Sequence, residues 1–243
     1  MSDIDKINKR FFIVLISFIF ILLAAIAILI IASLLIQDED MRYLAYFGVL
    51  ISMLFITPPF KSRLEQIINI SYIIKIRKNQ AKPLPLNHLK NLDNLRVLLI
   101  NDGYVKYAVD QAHALYYKTN KGSTKKIIRR YLLEIVVVIQ ENQNSFYLDA
   151  VDEEIHKIQQ ELLKENKKID KMLITQIKEI KNLDENTLES IKEIVFFKTK
   201  VGIISTINIG CYQPDQLAFM LYSESYAPSI YYKRHIEQIK KLI

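Results

Sequence analysis

Glu134 is the residue whose surroundings first suggest chemistry. It lies in IIRRYLLEIVVVIQ (127–140), where the odd positions from Tyr131 to Ile139 are all apolar and the even positions are mostly apolar. This pattern predicts a central strand that is largely buried on both faces. A buried carboxylate is unfavourable unless it is paired with a cation or belongs to a functional site. Glu134 is therefore a candidate catalytic residue.

Gln176 and Lys178 are the residues that would complete a site with Glu134. They stand two apart in KMLITQIKEI (171–180), a second predicted strand, and so point to the same side of it. An acid on one strand with a Gln/Glu-x-Lys pattern on another can bind a divalent metal and position a water, as in restriction-type nucleases. A whole predicted helix separates the two strands, which departs from the usual spacing. The competing interpretation is an ion pair between Glu134 and a lysine or arginine.

A second candidate site is the tyrosine-rich segment MLYSESYAPSIYYKRH (220–235). It joins a predicted strand to the start of the terminal helix, where backbone N–H groups favour anions. Tyrosine rings and hydroxyls there could hold a small polar or nucleotide-like ligand. The alternative is a turn at the core edge whose tyrosines pack on the terminal helix. The candidate ligand-binding residues are Tyr222, Ser223, Glu224, Ser225, Tyr226 and Tyr231.

Other signals of chemistry are weak. The sequence contains no GxGxxG, GxxxxGK[ST], HExxH or GxSxG motif. The single cysteine, Cys211, is predicted to be a small buried side chain. No metal site is predicted, and the sequence determines neither a cofactor nor whether the protein is an enzyme. The four histidines are widely separated and are predicted to lie at the surface or its boundary; they are His88, His113, His156 and His235.

The N-terminal 60 residues indicate whether the candidate sites belong to a membrane protein. The run from Phe11 to Ile36 has no charged residue and is longer than the about 20 residues that a spanning helix needs. It is too long for the apolar part of a cleavable signal peptide. A second run, 43–60, is weaker and is predicted to end at Pro58-Pro59, because proline cannot continue the hydrogen-bonding of a helix. The sequence thus predicts a transmembrane helical hairpin over 1–60, with spans at 11–36 and 43–60. The alternative for the second run is an interfacial or re-entrant segment.

The orientation of this hairpin follows from the basic residues that flank it. Lys6, Lys9 and Arg10 precede the first run, and several basic residues follow the second, whereas the turn between them has only Arg42. Positive residues mark the cytoplasmic side of a membrane. The pattern predicts a multi-pass cell-membrane protein with both termini in the cytoplasm.

Residues 61–82 are both basic and apolar and are predicted to form an amphipathic juxtamembrane segment and linker. Such a segment either lies on the inner leaflet and contacts anionic lipid headgroups, or extends the helix and packs on the following domain. The candidate membrane-surface residues are Lys61, Arg63, Lys75, Arg77 and Lys78.

Residues 83–243 are predicted to form a cytoplasmic α+β domain with a mixed or mainly antiparallel sheet of about five strands and about four helices. Helical stripes stand out in two places. Val151, Ile155 and Ile158 form part of the first, and Tyr232 and Ile236 open the second. The net charge of +7 is not concentrated in one segment and gives no clear nucleic-acid signal.

These features favour a membrane-tethered protein whose cytoplasmic domain is a binding or regulatory module. One alternative is a metal-dependent phosphodiesterase or nuclease-like hydrolase at the inner membrane face, using Glu134, Gln176 and Lys178. Another is an accessory subunit of a transport or pore-forming complex. The predicted partners are the lipid bilayer, anionic headgroups, and a protein partner or a second copy of the chain.

Overall fold

A computed structural model of the protein describes residues 3–87, 92–121, 130–143, 145–199 and 202–243. The described chain divides into two compact units, 1–74 and 75–243. The helices are α1 (Asp3–Leu35), α2 (Glu39–Lys78), α3 (Leu92–Asn101), α4 (Asp149–Lys164), α5 (Glu185–Lys192) and α6 (Ile230–Leu242). The strands are β1 (Leu84–Pro85), β2 (Val105–Val109), β3 (His113–Lys121), β4 (Arg130–Ile139), β5 (Lys168–Ile180), β6 (Val195–Lys198), β7 (Ile203–Tyr212) and β8 (Leu217–Met220).

The first unit is a hairpin of two long helices. The short turn before α2 ends at Asp38, whose carboxylate accepts a hydrogen bond from the backbone N–H of Met41 at 3.1 Å and so caps the helix. The two helices contact each other near the turn and near the middle of α1. Near the turn the hydroxyls of Ser33 and Tyr46 form a hydrogen bond, and farther along the rings of Phe18 and Phe60 lie 5.4 Å apart.

Most of the outer surface of α1 and of the N-terminal half of α2 is apolar. Large side chains such as Phe20, Leu34 and Phe55 are more than half exposed. Two helices, Lys6–Leu35 and Glu39–Lys78, are long and apolar enough to cross a membrane by length and composition, with mean hydropathies of 3.4 and 1.6 in their most apolar windows.

The predicted end of the second helix at Pro58-Pro59 is wrong, because α2 continues through both prolines to Lys78. Each proline removes one backbone donor, so the carbonyls of Leu54 and Phe55 lose their helical partners. Two missing hydrogen bonds do not end a helix of 40 residues. At 1.5 Å per residue, α2 is about 60 Å long, roughly twice the ~30 Å hydrocarbon thickness of a bilayer.

Residues 61–78 therefore form the C-terminal half of α2. The last turn belongs to the second unit. There the ammonium of Lys75 lies 5.9 Å from the centre of the Tyr226 ring, and the Arg77 guanidinium donates to the carbonyl of Lys192 at 3.4 Å. At its C-terminal end, the segment 61–82 therefore fits the interpretation of a helix that extends and packs on the following domain.

The second unit is built on one mixed sheet in the order β1-β8-β7-β5-β4-β3-β2. β6 pairs with the first half of β7, and β8 pairs with its second half. The central strands β4, β5 and β7 are parallel, and the flanking pairings are antiparallel. Parallel neighbours need a crossover, and α4 supplies the one between β4 and β5.

Helices cover both faces of this sheet. The buried stripe of α4 packs with Ile191 of α5 and with the odd-numbered residues of β4, including Leu133 and Val137. We call this the α4 face. On the opposite face, which we call the α6 face, α6 lies over β5 and β7. Gly210 shows how closely α5 packs, because a Cβ atom there would lie 2.5 Å from the side chain of Ile191.

The predicted α+β class with a mixed sheet is confirmed, but the number of strands is not. The described residues form eight strands instead of about five. The three additional strands are short: β1 has 2 residues, β2 has 5 and β6 has 4. Strands with so few residues carry little alternating pattern.

Candidate functional site

A cleft of about 650 Å³ lies on the α6 face of the second unit. Its wall is formed by the end of α3 and by residues of β3, β4 and α6. Three cationic and three acidic side chains line it, so the wall is strongly polar but carries no large net charge. The charged lining residues are Asp102, Lys118, Glu134, Arg234, Glu237 and Lys241.

Glu134 forms the floor of this cleft. Its side chain is 2% exposed, and one guanidinium nitrogen of Arg234 donates to its Oε1 at 2.8 Å. The side chain of Arg234 is 45% exposed, so the pair connects the sheet interior with the cleft. The ion pair that the sequence offered as the competing interpretation of Glu134 is therefore present.

Tyr104 and Lys118 form the adjoining wall. Burial raises the pKa of Tyr104, and the negative charge of Glu134 raises this pKa further. The ammonium of Lys118 lies 5.4 Å from the centre of the Tyr104 ring and donates to the carboxylate of Asp102 at 3.0 Å. These interactions fix both side chains and leave polar groups of both signs facing the cleft.

The structure does not bring Glu134, Gln176 and Lys178 together. Glu134 pairs with Leu173 in the parallel register, whereas Gln176 pairs with Val137. Since neighbouring residues across a sheet share a face and alternate along a strand, Glu134 lies on the α6 face and Gln176 and Lys178 on the α4 face. Three ligands separated by the sheet cannot hold one metal ion, so the nuclease-like site is wrong.

The predicted partners of Glu134 have other surroundings. Gln176 is buried and lies beside Asn208, whose amide donates to the carbonyls of Ser190 and Glu193 at 3.0 and 2.8 Å. The ammonium of Lys178 donates to the carbonyl of Gln143, and burial lowers its pKa.

Only part of the tyrosine-rich segment lines a common pocket. Ser223, Glu224 and Ser225 line a smaller pocket of about 300 Å³ beside α6. Tyr226 and Tyr231 are absent from its lining; their rings instead face the ammonium groups of lysines, at 5.9 and 4.9 Å.

The remaining side chains of this segment also make contacts within the fold. Tyr222 is buried and donates from its hydroxyl to the carbonyl of Lys82 at 3.1 Å. Glu224 pairs with Lys240 at 2.9 Å. These contacts match the alternative of a packed turn for the tyrosines, while ligand binding at Ser223–Ser225 stays a prediction.

The burial of two histidines was not predicted from the sequence. His235 is 1% exposed and His113 is fully buried, so the prediction that they lie at the surface or its boundary is wrong. His156 is exposed and bonds to Gln160 on its own helix, and His88 lies outside the described residues. A signal existed for His235, because it stands three residues after Tyr232 on the apolar side of α6.

His113 lies between two carboxylates. It belongs with Asp110 and Glu154 to the group that could hold a metal ion, since one ligand atom from each residue lies within 4.8 Å of the others. The Asp110 carboxylate also accepts from the backbone N–H groups of His113 and Ala112, and these bonds lower its pKa. Cys211 is buried as predicted, and burial raises the pKa of its thiol to about 12.

Comparison with models of protein families, with curated proteins and with solved structures finds no significant match.

Proposed function

We propose that the protein is a membrane-tethered binding module that takes a small polar ligand into the cleft at Glu134 and Arg234. The observation that carries this proposal is the ion pair itself, which joins a buried carboxylate to a half-exposed guanidinium in the 650 Å³ cleft of the second unit. A guanidinium presents a planar fork of donors to a carboxylate or phosphate oxygen. Arg234 can bind such a group on the ligand while Glu134 fixes its orientation.

The surrounding residues favour a ligand that carries both an acceptor and a donor. Lys118 and Lys241 add positive charge to the cleft, while Asp102 and Glu237 add acceptors. A purely anionic ligand would meet these carboxylates as well as the lysines. We therefore expect a zwitterionic or mixed ligand of small size, for which amino acids and mononucleotides are suitable probes.

The experiment is a thermal-shift and calorimetric screen of the full chain in detergent, with amino acids, mononucleotides and inorganic phosphate as probes. We expect at least one probe to stabilise the wild type and Arg234→Gln to weaken its binding at least tenfold. Arg130→Gln is the matched control, because Arg130 pairs with Asp170 at 3.3 Å outside the cleft lining. Absence of any stabilising probe, or an equal loss in both variants, would contradict the proposal.

The membrane part of the proposal rests on the exposed apolar surfaces of α1 and α2. In water such surfaces would be unfavourable, whereas in a bilayer they contact acyl chains. The excess of lysine and arginine outside the polar segment 37–42 supports an orientation with both termini in the cytoplasm. Basic residues such as Lys61 and Arg63 would then lie near anionic headgroups.

Asp38→Cys tests this orientation. The only native thiol, Cys211, is buried, so a membrane-impermeant maleimide reports on the introduced cysteine. We expect labelling from the outside of intact cells. Labelling only after permeabilisation would place the turn in the cytoplasm and reverse the assigned location of the second unit.

A further inference from the structure

The ring of His113 is held by an acceptor on each side. Its Nε2 lies 2.8 Å from Oε2 of Glu154, and its Nδ1 lies 3.3 Å from Oδ1 of Asp110. The residue is fully buried at the start of β3. His113 pairs with Ile139, which places its ring on the α4 face, opposite the cleft of Glu134.

The hydrogen bond to Glu154 fixes the proton on one side of the ring. An ionised carboxylate only accepts hydrogen bonds, so Nε2 must carry a hydrogen in order to bond to Glu154. Nδ1 is then left with its lone pair or a second proton. This nitrogen is buried and has no aligned hydrogen-bond partner, even though a carboxylate oxygen lies close to it.

The separation of Nδ1 and Oδ1 fits two ligands of one metal ion. Ligands at about 2.05 Å from a tetrahedral zinc ion are about 3.3 Å apart, and the ion lies off the line that joins them. A bridging proton, by contrast, would need to lie near that line. The observed distance of 3.3 Å without an aligned hydrogen bond therefore matches a shared cation better than a shared proton.

Glu154 has the role that a second carboxylate usually plays beside such a site. A histidine that binds a metal through one nitrogen commonly donates its other N–H to a carboxylate, which orients the ring and makes the ligand nitrogen more basic. Asp110 is half exposed, so water can complete the coordination from that side.

We propose that Asp110, His113 and Glu154 form a binding site for one divalent transition-metal ion of the zinc class. Nδ1 of His113 and the carboxylate of Asp110 bind the ion, and Glu154 orients the imidazole. The nitrogen ligand selects zinc over magnesium and calcium, which prefer sites made only of oxygen atoms. This site is independent of the ligand proposed for the cleft.

The test uses the full chain in detergent, without a polyhistidine tag and stripped of metal by a chelator. Zinc is added in a calorimetric titration, and cobalt in a parallel one followed by visible absorption. We expect one equivalent of zinc to bind with micromolar affinity and to raise the midpoint of thermal unfolding. Millimolar magnesium should leave this binding unchanged.

Variants show whether these three residues carry the binding. His113→Gln should abolish it, and Asp110→Asn should weaken it at least tenfold while retaining an oxygen that accepts the backbone N–H groups of Ala112 and His113. His156→Gln, at the exposed histidine of α4, is the matched control and should bind like the wild type. If His113→Gln does not fold, Asp110→Asn decides. Absence of binding at 100 µM zinc, or undiminished binding by Asp110→Asn, overturns the proposal.

Discussion

His113 and His235 are both buried, yet their surroundings are opposite in chemistry. His235 of α6 reaches two hydroxyls of the sheet, Ser205 Oγ at 3.0 Å from Nδ1 and Thr175 Oγ1 at 2.9 Å from Nε2. A hydroxyl can donate or accept, so a neutral imidazole satisfies both contacts. His113 instead faces two carboxylates, which only accept.

The difference shows that burial alone does not determine what a histidine does. Burial lowers the pKa of His235 to about 3, so the ring is neutral at physiological pH and acts as a polar member of the core. At His113 the neighbouring negative charges attract a cation. The same residue type thus has a packing role on the α6 face and a candidate metal-binding role on the α4 face.

Replacing His235 should have the largest effect on stability. His235→Leu fills a similar volume but leaves the buried hydroxyls of Ser205 and Thr175 without their partner, at about 1–3 kcal/mol each. We expect the free energy of unfolding of the full chain to fall by about 3 kcal/mol in chemical denaturation followed by circular dichroism. His113→Leu should cost less, because Asp110 and Glu154 can reach water. A larger loss for His113→Leu would invert the comparison.

The second prediction concerns acid. Below the ordinary histidine pKa of about 6.5, the unfolded chain binds a proton at His235, whereas the folded chain does not do so until about pH 3. The folded state therefore loses up to about 1.4 kcal/mol per pH unit across this window.

His235→Gln removes this proton-linked loss. Between pH 7 and 5, the denaturation midpoint of the wild type should fall more steeply than that of the variant. Parallel pH profiles would show that the His235 ring is already protonated, or hydrated, in the folded protein.

The local features of the second unit were predictable from the sequence. The four apolar residues of the α4 stripe, Val151, Ile155, Ile158 and Leu162, are all buried as their spacing indicated. Tyr232, Ile236 and Ile239 of α6 are buried as well. Each stripe depends on residues within one helix, so the period of the helix is sufficient to identify it.

The candidate sites depended on tertiary pairing, which the sequence pattern does not contain. The apolar strand around Glu134 indicated its burial, but its partner Arg234 is 100 residues away on α6. The grouping with Gln176 failed because one residue of register exchanges the faces of a strand. His113 was missed because its partners, Asp110 and Glu154, lie on a loop and on a distant helix.

Glu134 extends the comparison to a buried group that is charged and whose partner is half exposed. Glu134→Gln keeps the shape and one acceptor but removes the charge, and Arg234 can then turn to water. We expect a loss of about 1–2 kcal/mol, below the 3–5 kcal/mol typical when a charge is left buried and unpaired. Chemical denaturation followed by circular dichroism measures the loss, and a loss of about 3 kcal/mol or more would contradict the expectation that Arg234 reaches water in the variant.

The smallest effect is expected for Asp110→Asn in the absence of metal. The asparagine oxygen can still accept from the backbone N–H groups of Ala112 and His113, which lie 2.6 and 2.8 Å from Oδ1 in the wild type. The charge that is lost is half exposed, so the change in unfolding free energy should be below about 1 kcal/mol. If a second proton on His113 were instead held by Asp110, the loss would be larger and would grow as the pH falls. Two results together distinguish a metal site from a charged histidine. Without metal, Asp110→Asn changes the free energy of unfolding only slightly and independently of pH. With zinc, only the wild type is stabilised.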